Sequence, residues 1–368
     1  MKQVVAYRTL IDTHIDVPYR VKKKGQDISR RTKDGDFDFP RAKQGGLGAA
    51  FMVVYVPAKY ELKGGARVFA DETIDMIEGW ANKWPDKFIL AGSPEDLRVQ
   101  FGQETVSIVI AMENGSPLEG NLANIKHFYD RGVRYITLVH SKCNHICDSS
   151  FDPDRKWNGL SPFGREVVAE MNRIGMMIDV SHASDETFYQ ILEVSKAPVV
   201  ATHSACRHFT PDWERNMSDE MIRLLADKGG TIQITFGSGF VNRKANIRSV
   251  ERKRRILEHL KTVDLNPDEQ EVYTDQYIRA NPLPQADISD VVQNIDHAVN
   301  LVGINHVGLG SDFDGLWGEL PAGLKDVSCY PNLINELLKS GYTEGDIKKI
   351  CTENILRLWS AILETAVS

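Results

Sequence analysis

Short apolar runs alternate with amphipathic stretches along almost the whole chain. Eight runs have the length and composition of buried strands: 9–11, 49–55, 106–112, 135–139, 176–180, 198–201, 231–235 and 306–308. Six of the stretches between them carry apolar residues at helical spacing: 68–84, 122–129, 164–174, 185–194, 218–226 and 291–301. Three helices are predicted to begin at Ser161, Ser184 and Ser218, because a serine hydroxyl can accept a hydrogen bond from a first-turn amide.

Strands that alternate with helices eight times predict an α/β fold, a single (β/α)8 TIM-type barrel. We expect residues 1–368 to form one domain, with insertions near 21–45 and 241–285 and a C-terminal helical tail. A doubly wound open sheet is the alternative. The first strand is followed by Asp12-Thr13-His14-Ile15-Asp16 and not by a glycine-rich dinucleotide turn, which favours the barrel.

Both insertions are polar. Residues 22–43 are expected to form a solvated surface loop. Residues 242–261 are basic and carry Ile247, Val250, Leu257 and Leu260 at helical spacing. This pattern predicts a helix whose apolar face packs on the barrel and whose basic face meets solvent.

The charge balance bears on partners. The 368 residues include 44 basic and 51 acidic side chains, a net charge of −7, and a negative field repels phosphate. We therefore expect no nucleic-acid or anionic-membrane partner. No apolar run reaches the roughly 20 residues of a membrane span. A homodimer is compatible with the sequence.

The start of the chain and the cysteines bear on the compartment. We see no signal peptide before Asp12, which predicts a cytoplasmic protein, or a periplasmic or exported one if a signal has been removed. The five cysteines, an odd number, are expected to be reduced thiols. Cys143 and Cys147 as metal ligands are the less favoured interpretation.

Acids and histidines follow the predicted strands where each strand ends. His14 and Asp16 lie two residues apart, so their side chains share one side of the first strand. Later strands are followed by single groups of the same kinds: Glu113, His140, His182, His203 and Asp312. The carboxyl ends of barrel strands meet at one face, and imidazole nitrogen and carboxylate oxygen are ligands of zinc. The sequence therefore predicts a metal site at the barrel mouth.

This set of ligands suits two metal ions. His14 and Asp16 would hold one ion, and His182 and His203 the other, with Glu113 bridging both. Two ions can share a hydroxide and make it a nucleophile near neutral pH. Asp312 could orient that hydroxide and carry its proton to a leaving amine, and His140 could stabilise the oxyanion. For any one of these residues alone, a structural histidine or a solvated acid is the simpler interpretation.

Several motifs in order make the chain resemble the membrane (renal) dipeptidase family, within the metal-dependent amidohydrolase-type barrels. The resemblance extends from Asp12 to Arg357. Its motifs are Glu113-Asn114-Gly115, Leu138-Val139-His140-Ser141, Asp179-Val180-Ser181-His182, Thr202-His203-Ser204, Arg215-Asn216 and Gly308-Leu309-Gly310-Ser311-Asp312-Phe313-Asp314-Gly315.

The resemblance implies a role for each site residue. The zinc ligands of the family fall on His14, Asp16, Glu113, His182 and His203. Its substrate-binding residues fall on His140 and Arg215, and its catalytic aspartate on Asp312. Arg215 would bind the terminal carboxylate of a dipeptide through two hydrogen bonds. Without the resemblance, a surface ion pair is the simpler interpretation of Arg215.

The expected activity is therefore that of a zinc-dependent dipeptidase, which hydrolyses free dipeptides through a two-metal-activated hydroxide. The alternative is a barrel amidohydrolase acting on another amide, a lactone or a deaminase substrate. Many such enzymes bridge their metals with a carbamylated lysine, and Glu113 at that position favours the dipeptidase. A barrel that only binds ligands is a third interpretation, which the complete ligand set disfavours.

Overall fold

The computed structural model describes residues 9–366, and its strands form one parallel sheet. The strands are β1 (Leu10–Ile15), β2 (Leu47–Tyr55), β3 (Phe88–Leu90), β4 (Val106–Glu113), β5 (Val133–Thr137), β6 (Met177–Asp179), β7 (Val200–Ser204), β8 (Thr231–Ile234) and β9 (Val307–Leu309). Eight of them follow the order β1-β2-β4-β5-β6-β7-β8-β9. These eight coincide with the eight predicted runs.

The sheet curls until its last strand meets its first. Ile15 pairs in parallel with Phe313, just after β9. The amide of Asp16 donates to the carbonyl of Phe313 at 2.9 Å, and the amide of Asp312 donates to the carbonyl of His14 at 3.0 Å. The predicted (β/α)8 barrel is thus confirmed, and these bonds place the ends of β1 and β9 side by side.

One strand was not predicted. β3 pairs with the first residues of β4, with Phe88 opposite Val106, whereas β5 pairs with the last residues of β4. Three residues are too few to show a hydrophobic period.

Helices connect the strands and surround the barrel. They are α1 (Val17–Lys24), α2 (Phe39–Gly45), α3 (Lys59–Lys63), α4 (Ala66–Lys83), α5 (Pro94–Gln100), α6 (Ala123–Asp130), α7 (Pro162–Ile174), α8 (Asp185–Val194), α9 (Asp219–Asp227), α10 (Ser238–Val241), α11 (Arg243–Leu260), α12 (Pro267–Ala280), α13 (Ile288–Val302), α14 (Tyr330–Lys339), α15 (Glu344–Lys348) and α16 (Asn354–Thr365). The three predicted serine caps are confirmed: the side chains of Ser161, Ser184 and Ser218 each accept a first-turn amide. None of the helices between residues 9 and 366 is long and apolar enough to cross a membrane.

The C-terminal helical tail closes the amino-terminal end of the barrel. The side chain of Asn354 donates to the carbonyl of Val307 at the start of β9, at 2.8 Å. Trp359 is fully buried, and its ring centroid lies 5.9 Å from that of Phe51 inside the barrel. Because α16 fills this end, the opposite end is the one that remains open for a site.

The first insertion packs partly against the barrel, so the prediction of a solvated loop at 22–43 is only partly correct. The amide of Asp36 donates to Asp314 at 2.7 Å, and the amide of Asp314 donates to Asp36 at 2.9 Å. Arg20 Nε lies 3.0 Å from Asp314 Oδ2, and Phe37 is fully buried. Some polar residues of this segment, such as Arg41 and Asp38, pair with each other, whereas others, such as Lys24, Arg31 and Lys33, are exposed.

The second insertion forms a helical hairpin over the carboxyl ends of the strands. The Nζ atom of Lys253, on α11, donates to the carbonyl of Phe151 between β5 and α7 at 3.2 Å. Glu271, on α12, accepts the hydroxyl of Tyr19 on α1 at 2.8 Å and Nζ of Lys59 on α3 at 3.1 Å. The hairpin, residues 243–280, therefore reaches both sides of the barrel mouth.

The predicted helix is confirmed in α11, but its predicted orientation is wrong. Ile247, Val250 and Leu257 are 57%, 46% and 37% exposed, whereas the Arg252 side chain is 10% exposed and forms an ion pair with Glu319. The helix spans the open end of the barrel instead of lying on its flank. Arg252 and Lys253 therefore turn inward, whereas Arg248, Arg254 and Arg255 stay exposed.

Candidate metal centre

The structure brings all seven strand-end residues of the prediction to the open end of the barrel. His14 lies in β1 and Asp16 directly follows that strand, Glu113 ends β4, and His203 lies in β7. The other three follow β5, β6 and β9: His140, His182 and Asp312. Parallel strands of a barrel end on one face, and this is the physical reason that residues from opposite ends of the sequence meet here.

Glu113 occupies the middle of the cluster. Its Oε1 atom lies 3.3 Å from Nε2 of both His182 and His203. The same oxygen lies 3.7 Å from Nε2 of His14 and 4.0 Å from Nε2 of His140. Four imidazoles from four strands thus face one buried carboxylate oxygen.

Two carboxylates, those of Asp16 and Asp312, lie buried together on the β1 and β9 side. His14 Nε2 is 3.5 Å from Asp16 Oδ2, and ligand atoms of His14, Asp16 and Asp312 lie within 4.8 Å of one another. Burial raises the pKa of Asp16 to about 7 and raises the pKa values of Glu113 and Asp312 well above their usual range. Carboxylates so placed are stable as anions only beside positive charge.

Hydrogen bonds fix which nitrogen of two histidines is available. Tyr135 Oη donates to the carbonyl of Thr13 at 2.9 Å, so it accepts from His14 Nδ1 at 2.8 Å. The hydroxyl of Thr202 donates to Asp179 at 2.6 Å and therefore accepts from His203 Nδ1 at 2.9 Å. In both rings Nδ1 carries the hydrogen, and Nε2 keeps its lone pair toward Glu113.

The donor atoms fit divalent metal. His14 Nε2 and Asp16 Oδ1 are buried without a hydrogen-bond partner, and His182 Nε2 lies 2.9 Å from His203 Nε2. Nitrogen and carboxylate donors in this proportion are typical of zinc-like ions. His14, His182 and His203 lie beside Glu113, and Asp16 lies beside His14.

Backbone conformation and one glycine shape the site. His182 and Asp312 have φ angles of 68° and 64°, a left-handed conformation that is uncommon for residues with a side chain and is often found at functional sites. A Cβ atom on Gly315 would lie 2.3 Å from Asp312 Oδ1 and 2.4 Å from Asp16 Oδ2. The sequence pattern assigns no role to Gly315, although it belongs to the motif that ends in Asp312-Phe313-Asp314-Gly315.

Arg215 is buried, so the interpretation as a surface ion pair is wrong. Its guanidinium donates to Ser204 Oγ at 3.1 Å and to the carbonyl of His203 at 2.8 Å, and its Nε has no partner. Within residues 9–366 no carboxylate lies within 4.0 Å of it. Burial lowers the pKa of Arg215 to about 10, so the group carries an unpaired positive charge at neutral pH.

His140 is a neutral donor beside the cluster. Burial lowers the pKa of His140 to about 3, with the charge of Arg215 acting in the same direction. Its ring packs edge-on against Tyr55 with centroids 4.8 Å apart and lies 4.3 Å from the ring of His182. A neutral imidazole in this position has one N–H to offer to a substrate oxygen.

Known proteins resemble this chain in sequence and in fold. The family model for membrane dipeptidase, peptidase family M19, matches residues 1–368. An uncharacterized dipeptidase of Schizosaccharomyces pombe is 30% identical over 374 residues, covering 97% of this chain and 81% of the relative.

Solved structures of dipeptidases and metallopeptidases have a fold similar to that of this chain. The probable dipeptidase PvdM from Pseudomonas aeruginosa has a TM-score of 0.84 at 27% identity, covering 97% of this chain and 96% of that one. A metallopeptidase from Rhodobacter sphaeroides, liganded with a phosphinate mimic of the dipeptide L-Ala-D-Ala, has the same fold, with a TM-score of 0.79 at 24% identity and coverage of 96% and 99%. This chain therefore belongs to the membrane dipeptidase family, peptidase family M19, and is a metal-dependent dipeptidase.

Proposed function

We propose that this chain hydrolyses free dipeptides with two zinc ions bound at the barrel mouth. The observation that carries the proposal is the position of Glu113, whose Oε1 faces imidazole nitrogens from both predicted ligand pairs at 3.3–3.7 Å. A carboxylate with ligands on both sides is the arrangement that a bridging ligand requires. His14 and Asp16 would be the other ligands of one ion, and His182 and His203 those of the second ion.

The ions, when bound, would supply Lewis acidity that lowers the pKa of water and polarises the peptide carbonyl. The protein contributes proton transfer. Asp312 borders Asp16 at the mouth, and we assign it the acceptance of a proton from the attacking water and its delivery to the leaving amine. Burial raises the pKa of Asp312 well above its usual range, which favours a carboxyl that takes up a proton and gives it away again.

Two further residues would bind the substrate. His140 would donate a hydrogen bond to the oxygen that becomes negative in the transition state. Arg215 would bind the terminal carboxylate, since its Nε is buried and unpartnered and its charge is unpaired. An unpaired guanidinium favours a substrate with a free carboxylate over the neutral amides, lactones or bases of the alternative barrel hydrolases.

The test combines metal analysis with substrate choice. Metal-free protein refilled with zinc is expected to hold two ions per chain and to cleave L,L- or L,D-dipeptides with free carboxyl termini. Their C-terminal amides are expected to be poor substrates of the wild type, and Arg215→Met is expected to remove most of this discrimination. Uptake of one ion per chain would contradict the two-metal site. Equal cleavage of amides and free dipeptides would contradict the role of Arg215, and faster turnover of a lactone or another amide would favour the alternative.

A further inference from the structure

Lys253 is an inward-facing cation without an anionic partner. Its Nζ donates to the carbonyl of Phe151 at 3.2 Å and lies 3.9 Å above the centroid of the Phe151 ring. In the described part of the chain no carboxylate lies within 4.0 Å of this atom. Asp152, whose charge acts on Lys253, is already bonded to Lys142 Nζ at 3.1 Å and to the amide of Cys143 at 3.0 Å.

A wall of aromatic rings connects Lys253 to the metal centre. The ring of Phe151 lies 5.4 Å from the ring of His182 and 6.0 Å from that of Trp213. Trp213 in turn packs edge-on against Phe240 at 5.0 Å, and the guanidinium of Arg215 lies 5.1 Å from the ring of Phe240. The wall formed by Phe151, Trp213 and Phe240 thus has an unpaired cation at each end.

An unpaired ammonium in this position is costly. Burial lowers the pKa of Lys253 to about 8, with Lys142 acting in the same direction. The group is nevertheless mostly charged at neutral pH. A carbonyl and an aromatic face satisfy its geometry, and the charge of Asp152, which is bonded to Lys142, compensates its charge only in part. An anion that enters the mouth would gain a charge-assisted hydrogen bond without having to displace a protein carboxylate.

We infer that Lys253 is a specificity-determining residue that binds an acidic side chain of the dipeptide. The inference rests on the proposed function, in which Arg215 takes the terminal carboxylate. Lys253, at the other end of the aromatic wall, meets the second carboxylate. The class of preferred substrate is accordingly the dipeptide with one aspartate or glutamate residue, which has two carboxylates for two separated cations.

The test compares isosteric substrates. We expect the wild type to cleave Ala-Glu or Glu-Ala with a kcat/KM about 10- to 100-fold above that of the matching glutamine dipeptide, the range of a hydrogen bond to a charged group. Lys253→Met is expected to remove this ratio while Ala-Gln and Ala-Ala are still cleaved, and Lys253→Arg is expected to keep most of it. Arg254→Met is the matched control, because Arg254 is on the same helix, is 59% exposed and pairs with Glu258. It should leave the ratio unchanged.

The outcomes separate the two proposals. A wild type that cleaves no dipeptide overturns both. A wild type that cleaves Ala-Gln as fast as Ala-Glu, and Gln-Ala as fast as Glu-Ala, overturns the role of Lys253 and leaves the dipeptidase standing. If Lys253→Met lowers kcat/KM equally for all substrates, the residue holds α11 in place and does not select the substrate. The wild-type ratio needs no variant, so a ratio of one overturns the role of Lys253 even if Lys253→Met fails to fold. A high ratio that Lys253→Arg keeps supports the role.

Discussion

The hydroxyl of Tyr135 lies 2.8 Å from Nδ1 of His14, at the centre of the barrel and 121 positions away in the sequence. The tyrosine gives its own hydrogen to the carbonyl of Thr13, so it can only accept from the imidazole. This single contact sets the tautomer of His14 and directs its Nε2 lone pair toward Glu113. Partners of this kind orient metal ligands and raise their basicity.

Tyr135→Phe is therefore expected to lower zinc affinity by about 10- to 100-fold while the barrel stays folded. The ring remains to pack on Phe51, whose centroid lies 5.6 Å away, and the variant loses the acceptor of the His14 proton and the donor to the Thr13 carbonyl. Competition with a chelator of known affinity measures the effect. Tyr342→Phe is the control, because it removes a hydroxyl that bonds Asp296 in the outer helices. Equal affinity in the two variants would show that the contact is not needed.

Gly315→Ala is expected to abolish detectable activity and to reduce bound metal. The new methyl group would stand 2.3 Å and 2.4 Å from carboxylate oxygens of Asp312 and Asp16, so one of these side chains must leave its place. Gly79→Ala is the matched control, since its Cβ would meet nothing within 4 Å on helix α4. That change should leave activity intact and raise stability by about 0.5–1 kcal/mol. Wild-type turnover by Gly315→Ala would mean that the two carboxylates need not be adjacent.

The ends of the strands were predictable from sequence because a buried parallel strand leaves a plain signal. A run such as Val106–Met112 is apolar and stops at an acid, and the barrel then places every such stop on one face. The same reasoning failed for α11. Helical periodicity shows which residues share one face of a helix but not what that face packs against. Whether that face lies on a barrel flank or above an open mouth depends on where the insertion crosses.

The supporting contacts could not have been predicted in this way. Tyr135 points into the barrel from the middle of β5, and its role depends on a partner from β1. Arg215 lies outside any strand, so only the resemblance singled it out, and only its burial shows that its charge is unpaired. Contacts between side chains of distant strands are set by register and barrel closure, which local patterns do not specify.

Asp312→Asn and Glu113→Ala are expected to fail in different ways. A carboxamide in place of the Asp312 carboxylate cannot take a proton from water, so Asp312→Asn should retain metal and lose about 100-fold or more in kcat. Glu113→Ala removes the carboxylate that faces four imidazoles, so metal content and activity should fall together. Elemental analysis of each purified variant, alongside kcat for one dipeptide, separates the two. Retained turnover in Asp312→Asn would refute its assigned role in proton transfer.

The preference for acidic dipeptides is expected to depend on pH. Burial lowers the pKa of Lys253 to about 8, so its ammonium is charged below that pH and neutral above it. Burial raises the pKa of the facing Asp152, but the Cys143 amide and Lys142 outweigh burial and hold it below its usual range. The ratio of kcat/KM for Ala-Glu over Ala-Gln should therefore be steady near pH 6–7 and fall as pH rises through about 8. Lys253→Arg should keep the ratio flat, and a flat wild-type profile would contradict the assignment.

Trp359 tests whether α16 seals the barrel. Its indole is fully buried against Phe51, and its Nε1 has no hydrogen-bond partner. Trp359→Ala should lower the free energy of unfolding by about 3–5 kcal/mol, because it leaves a cavity that a packed barrel cannot close. Trp359→Phe should cost much less, since a ring still fills most of the space and the unpaired N–H is removed. Urea unfolding followed by circular dichroism gives both values. If Trp359→Ala lowers the free energy of unfolding by less than about 1 kcal/mol, the tail covers the barrel without stabilising it. A large loss of stability with an unchanged kcat in native buffer would show that the closed end supports the fold and takes no part in the chemistry at the open end.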